Sequence, residues 1–132
     1  MKKLKTFESF MGSQLEKIVQ EVEDMLVELR DEEFNTKIES KIIEAGYTYS
    51  GPWIEIFISR KNNEFGYADI EDVVERIKSY LAEEGLFYSG RNEEERSTGR
   101  PIISTSRSYN PMNFEVEGIR TTCSLTFKTR EE

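Results

Sequence analysis

Residues 53–60 have the sequence WIEIFISR, and this stretch decides the fold class. Isoleucine occupies every second position, at Ile54, Ile56 and Ile58, and the residues between are aromatic or polar. Successive side chains of a strand point to opposite faces, so this alternation predicts a β-strand with one apolar, buried face. We therefore expect a sheet that is covered on the isoleucine side.

Two amphipathic helices flank this strand in the sequence. Their apolar residues recur at the i, i+3, i+4, i+7 spacing of a helix with one buried face. The first helix is predicted to begin at Ser13, because Ser13–Glu16 fits the S-x-x-E capping box, and to end near Arg30. The second is predicted to run from Asp69, as N-cap, to Gly85, which can adopt positive φ. The apolar faces comprise Leu15, Ile18, Val19, Val22, Met25, Leu26 and Leu29, then Ile70, Val73, Val74, Ile77, Tyr80 and Leu81.

Further strands are predicted around these elements. One follows Phe34, a short one opens at Leu86, and two more run over 102–109 and 114–127, with a bulge beside Gly118 where the alternation changes phase. Residues 46–51 are predicted to form a turn. The element order is α-β-β-α-β-β, which predicts an α+β two-layer sandwich with two helices on an antiparallel sheet. A circularly permuted ferredoxin-like arrangement has this order.

Composition excludes several function classes. The 132 residues include no histidine and one cysteine, Cys123. Catalytic triads that use histidine, HExxH zinc sites, disulfides within the chain and cysteine zinc clusters are therefore excluded. Cys123 lies in an alternating strand and is predicted to be a small core residue. We predict no catalytic residue, no metal site and no cofactor.

Charge and hydropathy restrict the partners. Eighteen Lys and Arg against 26 Asp and Glu give a net charge of −8. This charge disfavours nucleic acid and anionic membranes as partners. No apolar run approaches the roughly 18 residues that cross a membrane, so no membrane partner is expected. A protein partner fits the charge, and self-association stays open.

Residues 1–12 differ in charge from the rest of the chain. Three lysines against one glutamate give this segment a charge of +2, and a helix would align its apolar residues in one stripe. So short a helix needs a surface to dock on, either its own domain or a partner. The chain therefore divides into a basic peptide (1–12), a single domain (13–128) and a frayed end (129–132). The stripe consists of Leu4, Phe7, Phe10 and Met11.

Two other surfaces are candidates for protein binding. One is the acidic face of the first helix, whose row of carboxylates could imitate a phosphate backbone in a basic groove. The other is the polar stretch 89–113, whose arginines suit a binding loop. Phosphate contacts by these arginines are disfavoured because residues 93–95 are all glutamate. The acidic residues are Glu21, Glu23, Asp24 and Glu28, and the basic residues are Arg91, Arg96, Arg100 and Arg107.

An enzymatic alternative rests on three residues. Asp31 precedes Glu39 and Lys41, and D…E-x-K is the pattern of the metal-dependent nuclease superfamily, in which carboxylates hold Mg²⁺ and a lysine orients water. The pattern is common by chance in a chain rich in Glu and Lys. The acidic surface would also repel a nucleic-acid substrate, so a non-enzymatic function is predicted.

The N-terminal residues resemble a bacteriophage peptide. Lys5–Phe10 resembles the K-T-[YF]-x-x-F opening of short peptides that can direct internal proteins of large tailed phages into the prohead. The stretches 29–34, 54–58 and 70–81 are similar to small uncharacterised phage proteins. Such peptides are cut after a Leu/Ile-x-Glu tripeptide. Leu26–Glu28 matches the tripeptide but lies inside the first predicted helix.

This resemblance implies a phage origin more strongly than any activity. Together with the composition and charge, it leads us to predict a non-enzymatic phage accessory protein that works by binding protein. One version is associated with or packaged in the virion and binds a phage structural protein. The alternative is a host-takeover or anti-defence protein that inhibits a host enzyme by binding it through the acidic helix face or the 89–113 stretch. The implied location is the virion or the host cytoplasm.

Overall fold

The computed structural model describes residues 2–43 and 51–129, with backbone alone for residues 2–12. A single turn of 3-10 helix (Tyr67–Asp69) precedes the second long helix. The helices are α1 (Lys2–Asp31), α2 (Glu71–Glu83) and α3 (Glu93–Thr98). The strands are β1 (Asn35–Ile43), β2 (Gly51–Lys61), β3 (Phe87–Ser89), β4 (Ser104–Tyr109) and β5 (Val116–Lys128).

The described strands form one antiparallel sheet in the order β1-β2-β5-β3, and β4 also pairs with β5. β3 pairs with the end of β5 and β4 with its beginning, so both short strands lie along the same edge of β5. The predicted α+β sandwich is confirmed.

The core lies between the sheet and the long helices. Ile54, Ile56 and Ile58 of β2 are at most 1% exposed, and β5 places Phe127, Leu125 and Cys123 opposite them. Each aliphatic side chain fully buried in this way stabilises the fold by about 1.5–3 kcal/mol. The helices contribute Leu15, Ile18, Val22, Leu26 and Leu29 from α1 and Val73, Val74, Ile77 and Leu81 from α2.

Both predicted helix starts are wrong. α1 begins at Lys2, so Ser13 is an interior residue and not an N-cap. The residues before Ser13 continue the helix, and Gly12 within it costs only about 1 kcal/mol relative to alanine. α2 begins at Glu71, because the Asp69 carboxylate accepts a hydrogen bond from the Gly66 N–H (2.8 Å) and closes the preceding turn instead.

The predictions at two glycines are confirmed. Gly85 has φ 87° after α2, and the Leu86 N–H donates to the Leu81 carbonyl (2.8 Å), which ends the helix in a Schellman motif. The bulge beside Gly118 is present, since Ser108 lies opposite Gly118 while Tyr109 lies opposite Val116. The predicted turn at 46–51 falls largely outside the described residues. The division at residue 12 stays a prediction.

Candidate protein-binding site

The end of the β4–β5 hairpin exposes a cluster of large apolar side chains. Tyr109 and Val116 form the last strand pair, and Met112 and Phe114 lie in the loop between them. Their exposed fractions are 55% for Tyr109, 51% for Val116, 88% for Met112 and 79% for Phe114. Isolated exposed apolar residues are normal, but four at the end of one hairpin are typical of an interaction surface. We call these four residues the apex cluster.

Hydrogen bonds fix the loop that carries the cluster. Asn110 Oδ1 accepts from the Met112 N–H (2.8 Å), and Asn113 Oδ1 accepts from the Glu115 N–H (3.0 Å). The Asn110 and Glu115 backbones also bond across the loop (2.8 Å), as do those of Phe114 and Asn110 (2.8 Å). Asparagine side chains stabilise tight turns in this way. Met112 and Phe114 are thus displayed from a defined turn.

The backbone at Phe114 is strained. Its φ of 61° lies in the left-handed region, which costs a residue with a Cβ roughly 1–2 kcal/mol. The ring recovers little of this cost within the fold, because it is 79% exposed. Glycine would adopt the same conformation without the cost. Packing inside the domain therefore does not account for a phenylalanine at this position.

The charges next to the apex cluster are mainly acidic. Glu115 and Glu117 are exposed on either side of Val116. Arg107 of β4 forms an ion pair with Glu64 (2.6 Å between Nη2 and Oε1). Its charge is thus directed toward the loop after β2. The apex therefore presents apolar side chains with a negatively charged border.

The arginines of the 89–113 stretch contact different parts of the fold. Arg91 Nη2 lies 3.4 Å from the carbonyl oxygen of Ser124, and Arg107 pairs with Glu64. The Arg100 guanidinium lies over the Tyr67 ring, 4.8 Å from its centroid. Arg96 lies on α3, whose backbone approaches Gly90. A Cβ at Gly90 would be 2.7 Å from the Arg96 backbone nitrogen. The structure does not bring the four arginines into one patch.

A buried carboxylate organises the same stretch. Glu95 is 5% exposed and accepts hydrogen bonds from Tyr88 Oη (3.0 Å) and from the backbone N–H groups of Arg91 (3.2 Å) and Ile102 (3.4 Å). Burial alone would raise the pKa of Glu95, but these hydrogen bonds, with the nearby Arg91 charge, hold it below its ordinary value. Residues 90–102 are thus anchored to the sheet.

The predicted acidic face of α1 is partly neutralised. Glu21, Asp24 and Glu28 are exposed and Glu23 is half-buried. Arg30 pairs with Glu23 (2.6 Å), and Arg76 of α2 pairs with Glu28. Two of the four carboxylates therefore already have an arginine partner, which lowers the charge that a basic groove would meet.

The predicted apolar stripe of residues 1–12 lies outside the described side chains. Leu4, Phe7, Phe10 and Met11 belong to the part of α1 for which the structure gives the backbone alone. The helical backbone agrees with the spacing from which the stripe was inferred. Its role in docking stays a prediction.

The nuclease residues do not form one cluster. Glu39 and Lys41 lie on the outer face of β1, in a cleft of about 300 Å³ with Trp53 and Glu55. Asp31 ends α1, beyond the opposite end of β1. Within residues 2–43 and 51–129, no group of three or more Asp, Glu, His or Cys side chains is arranged to hold a metal ion.

Cys123 is a core residue, as predicted. Its side chain is 6% exposed, and burial raises the pKa of its thiol to about 12. The thiol is therefore protonated near neutral pH, which disfavours a nucleophilic role.

Comparisons with known proteins assign no function to the apex cluster. The chain matches no protein-family profile, no curated protein and no solved structure. Over the part of the chain that is described, no helix is long and apolar enough to cross a membrane.

Proposed function

We propose that this chain is a non-enzymatic binding protein that inserts the apex cluster into a protein partner. The observation that carries the proposal is the 88% and 79% exposure of Met112 and Phe114 on a hydrogen-bonded turn. Methionine and aromatic residues are enriched at protein interfaces, where a few such side chains supply most of the binding energy.

The energies favour insertion of the cluster. Burying a methionine or phenylalanine side chain contributes about 1.5–3 kcal/mol, so the two loop residues together contribute about 3–6 kcal/mol. The left-handed backbone at Phe114 costs roughly 1–2 kcal/mol, and this cost is already present in the free protein. A turn that is fixed before binding also loses less conformational entropy on association. The strain at Phe114 therefore adds no cost to binding.

The charges around the cluster define the partner's surface. Glu115 and Glu117 border the apex, and the whole chain carries −8. An apolar pocket with a basic rim complements this arrangement. A membrane of anionic lipids or a nucleic acid would be repelled.

The resemblance of Lys5–Phe10 to phage peptides directs the proposal to a phage accessory protein. Its partner would be a capsid, portal or scaffold protein, and the chain would be packaged in or associated with the virion. Because α1 is continuous from Lys2, a docking peptide would be about the first three turns of this helix. The host-enzyme inhibitor is the alternative, and the arginine partners of Glu23 and Glu28 make it the less favoured of the two.

Site-specific photocrosslinking tests the proposal. A photoreactive phenylalanine is placed at Met112, at Phe114 and, as control, at the exposed Asn63, and each protein is irradiated in phage-infected lysate. We expect one phage structural protein to crosslink at 112 and 114 and not at 63. With that partner purified, Phe114→Ser should weaken binding by at least about tenfold, as expected for about 1.5 kcal/mol or more of lost burial.

Matched variants separate the apex from other surfaces. Ile102→Ser removes another exposed apolar side chain, between α3 and β4, and should leave the affinity unchanged. Removal of residues 1–12 tests the N-terminal peptide separately. The apex proposal would be overturned by equal crosslinking at 63, or by an affinity that Phe114→Ser leaves unchanged. Crosslinking to a host enzyme would support apex binding and overturn the virion assignment.

A further inference from the structure

β1 is a regular edge strand. Within the described residues it pairs only with β2, without interruption from Asn35–Ser59 to Ile43–Gly51. It contains no proline and no bulge, and six of its nine residues are exposed. The free edge of such a strand offers unpaired backbone N–H and C=O groups to another strand. Its side chains decide which strand fits.

We propose that β1 pairs antiparallel with β1 of a second copy of this chain, about a two-fold axis at Ser40. Directly opposite residues of an antiparallel pair share a face. An axis perpendicular to the sheet at Ser40 therefore places Glu39 opposite Lys41 of the second copy, twice, on the outer face. It places Ile38 opposite Ile42 of the second copy, twice, on the helix face. This pairing does not depend on the apex cluster.

Charge selects this register over its neighbours. An axis at Glu39 would place the two Glu39 side chains opposite each other and Lys37 opposite Lys41. An axis at Lys41 would place the two Lys41 side chains opposite each other. Like charges directly opposite each other are destabilising. An axis at Ile38 would oppose Lys37 to Glu39, but Ile42 would lie beyond the paired part of β1. Only the Ser40 axis matches both the charges and the isoleucines.

Apolar exposure favours the same pairing. Ile42 is 40% exposed although its position alternates toward the helix face, and Ile38 is half-buried. α1 packs on β1, where Arg30 Nε donates to Thr36 Oγ1 (2.6 Å). The two-fold axis therefore brings the two α1 helices to the same face of the joined sheet. Val27 of α1, which is 44% exposed, would be available to the second helix there.

Charge reversal with sedimentation equilibrium tests the dimer in the full chain. We expect the unmodified protein to dimerise, and Glu39→Lys or Lys41→Glu to raise the dimer dissociation constant by at least about tenfold. An equimolar mixture of the two variants restores both opposite-charge contacts and should form a heterodimer. The double variant E39K/K41E should dimerise with itself. Glu83→Lys, a reversal on an exposed residue of α2, serves as the control and should not change the mass.

Several results would overturn the proposal. A monomeric unmodified protein up to its solubility limit would do so, as would a mixture of the two variants that stays monomeric. A dimer weakened by Lys37→Glu but not by Lys41→Glu would show the Ile38 axis and refute the Ser40 axis. Circular dichroism is used to check that each variant is folded. Formation of the heterodimer also requires that both variants are folded.

Discussion

Replacing Glu95 by alanine tests whether one buried carboxylate holds residues 90–102 on the sheet. This side chain is 5% exposed and accepts hydrogen bonds from Tyr88 Oη, the Arg91 N–H and the Ile102 N–H at 3.0, 3.2 and 3.4 Å. Alanine removes both carboxylate oxygens and therefore all three hydrogen bonds at once. The donors come from β3 and from both ends of the segment that contains α3. The change therefore affects all of residues 90–102.

The expected loss follows from these contacts. A hydrogen bond contributes about 0.5–1.5 kcal/mol net, and a donor left unsatisfied in the interior costs about 1–3 kcal/mol. Since two of the three bonds are longer than 3.0 Å, we assign about 1 kcal/mol to each donor and expect a loss of about 3 kcal/mol. Glu95→Gln keeps the size and one acceptor oxygen, so a loss of about 1–2 kcal/mol is expected.

The loss should depend on pH. The pKa of Glu95 is lower in the folded protein than its ordinary value of 4.5, so ionisation of Glu95 stabilises the fold. That contribution is complete above the unfolded pKa and disappears as the pH falls through the folded pKa. The difference in stability between the native protein and Glu95→Gln should therefore be largest near neutral pH and should shrink below about pH 4.5.

Urea unfolding gives the measurement, with free energies extrapolated linearly to water. Trp53 is the only tryptophan and reports the transition by fluorescence. The control is Glu94→Ala, an exposed neighbour on α3 that should change stability by no more than about 0.5 kcal/mol. A loss below about 1 kcal/mol for Glu95→Ala, or one equal to that of the control, would refute the anchoring role. A Glu95→Gln difference that is constant with pH would refute its electrostatic part.

Three further outcomes are expected. Phe114→Gly should raise the free energy of unfolding, measured by urea titration, by about 1 kcal/mol, because glycine tolerates φ 61°. The same variant should lose partner binding. A lower free energy of unfolding would contradict the strain argument. Cys123 should resist iodoacetamide in the folded protein and react in urea, since burial raises its thiol pKa to about 12; rapid native alkylation, followed by mass spectrometry, would show that the thiol is accessible. Mg²⁺ should elicit no cleavage of DNA or RNA on gels, and activity that Glu39→Gln abolishes would instead establish the nuclease.

The layers of the fold were predictable because they depend on local periodicity. The isoleucines of β2 and the apolar faces of α1 and α2 repeat at the period of their elements, and burial follows from that pattern. The ends of the helices were not predictable. Ser13–Glu16 has the letters of a capping box within a continuing helix, and the Asp69 carboxylate bonds the Gly66 N–H instead of α2. Such choices depend on the neighbouring backbone.

The sequence of residues 90–102 contains a helix-start pattern that hydrophobic periodicity does not detect. Asn92 caps α3 by accepting from the Glu95 N–H (2.9 Å), and Gly99 ends the helix with φ 68°. An asparagine followed three residues later by glutamate is a known helix-start pattern. The stretch nevertheless looks like a polar loop, because its buried anchor is a carboxylate. The exposure of the apex cluster has no such signal, since Phe114 and Val116 also fit a buried strand.

The length of β5 explains why the apex stands apart from the core. β2 pairs with β5 only as far as Arg120, and just beyond β2 the Asn62 N–H donates to the Ile119 carbonyl (2.8 Å). From Gly118 to Val116, β5 pairs with β4. The hairpin therefore extends past the end of β2, where the helical layer does not cover it. In the proposed dimer the two-fold axis lies at the β1 edge, so each copy keeps its hairpin free.

A dimer with two free apex clusters would favour a partner that offers many identical binding sites. Binding of one apex raises the effective concentration of the second, which can strengthen attachment by about 10²–10⁴-fold where the geometry allows both to bind. Lys41→Glu should then weaken attachment to an assembled, repetitive partner far more than to a single partner subunit. Equal weakening on both would show that β1 pairing and apex binding do not act together.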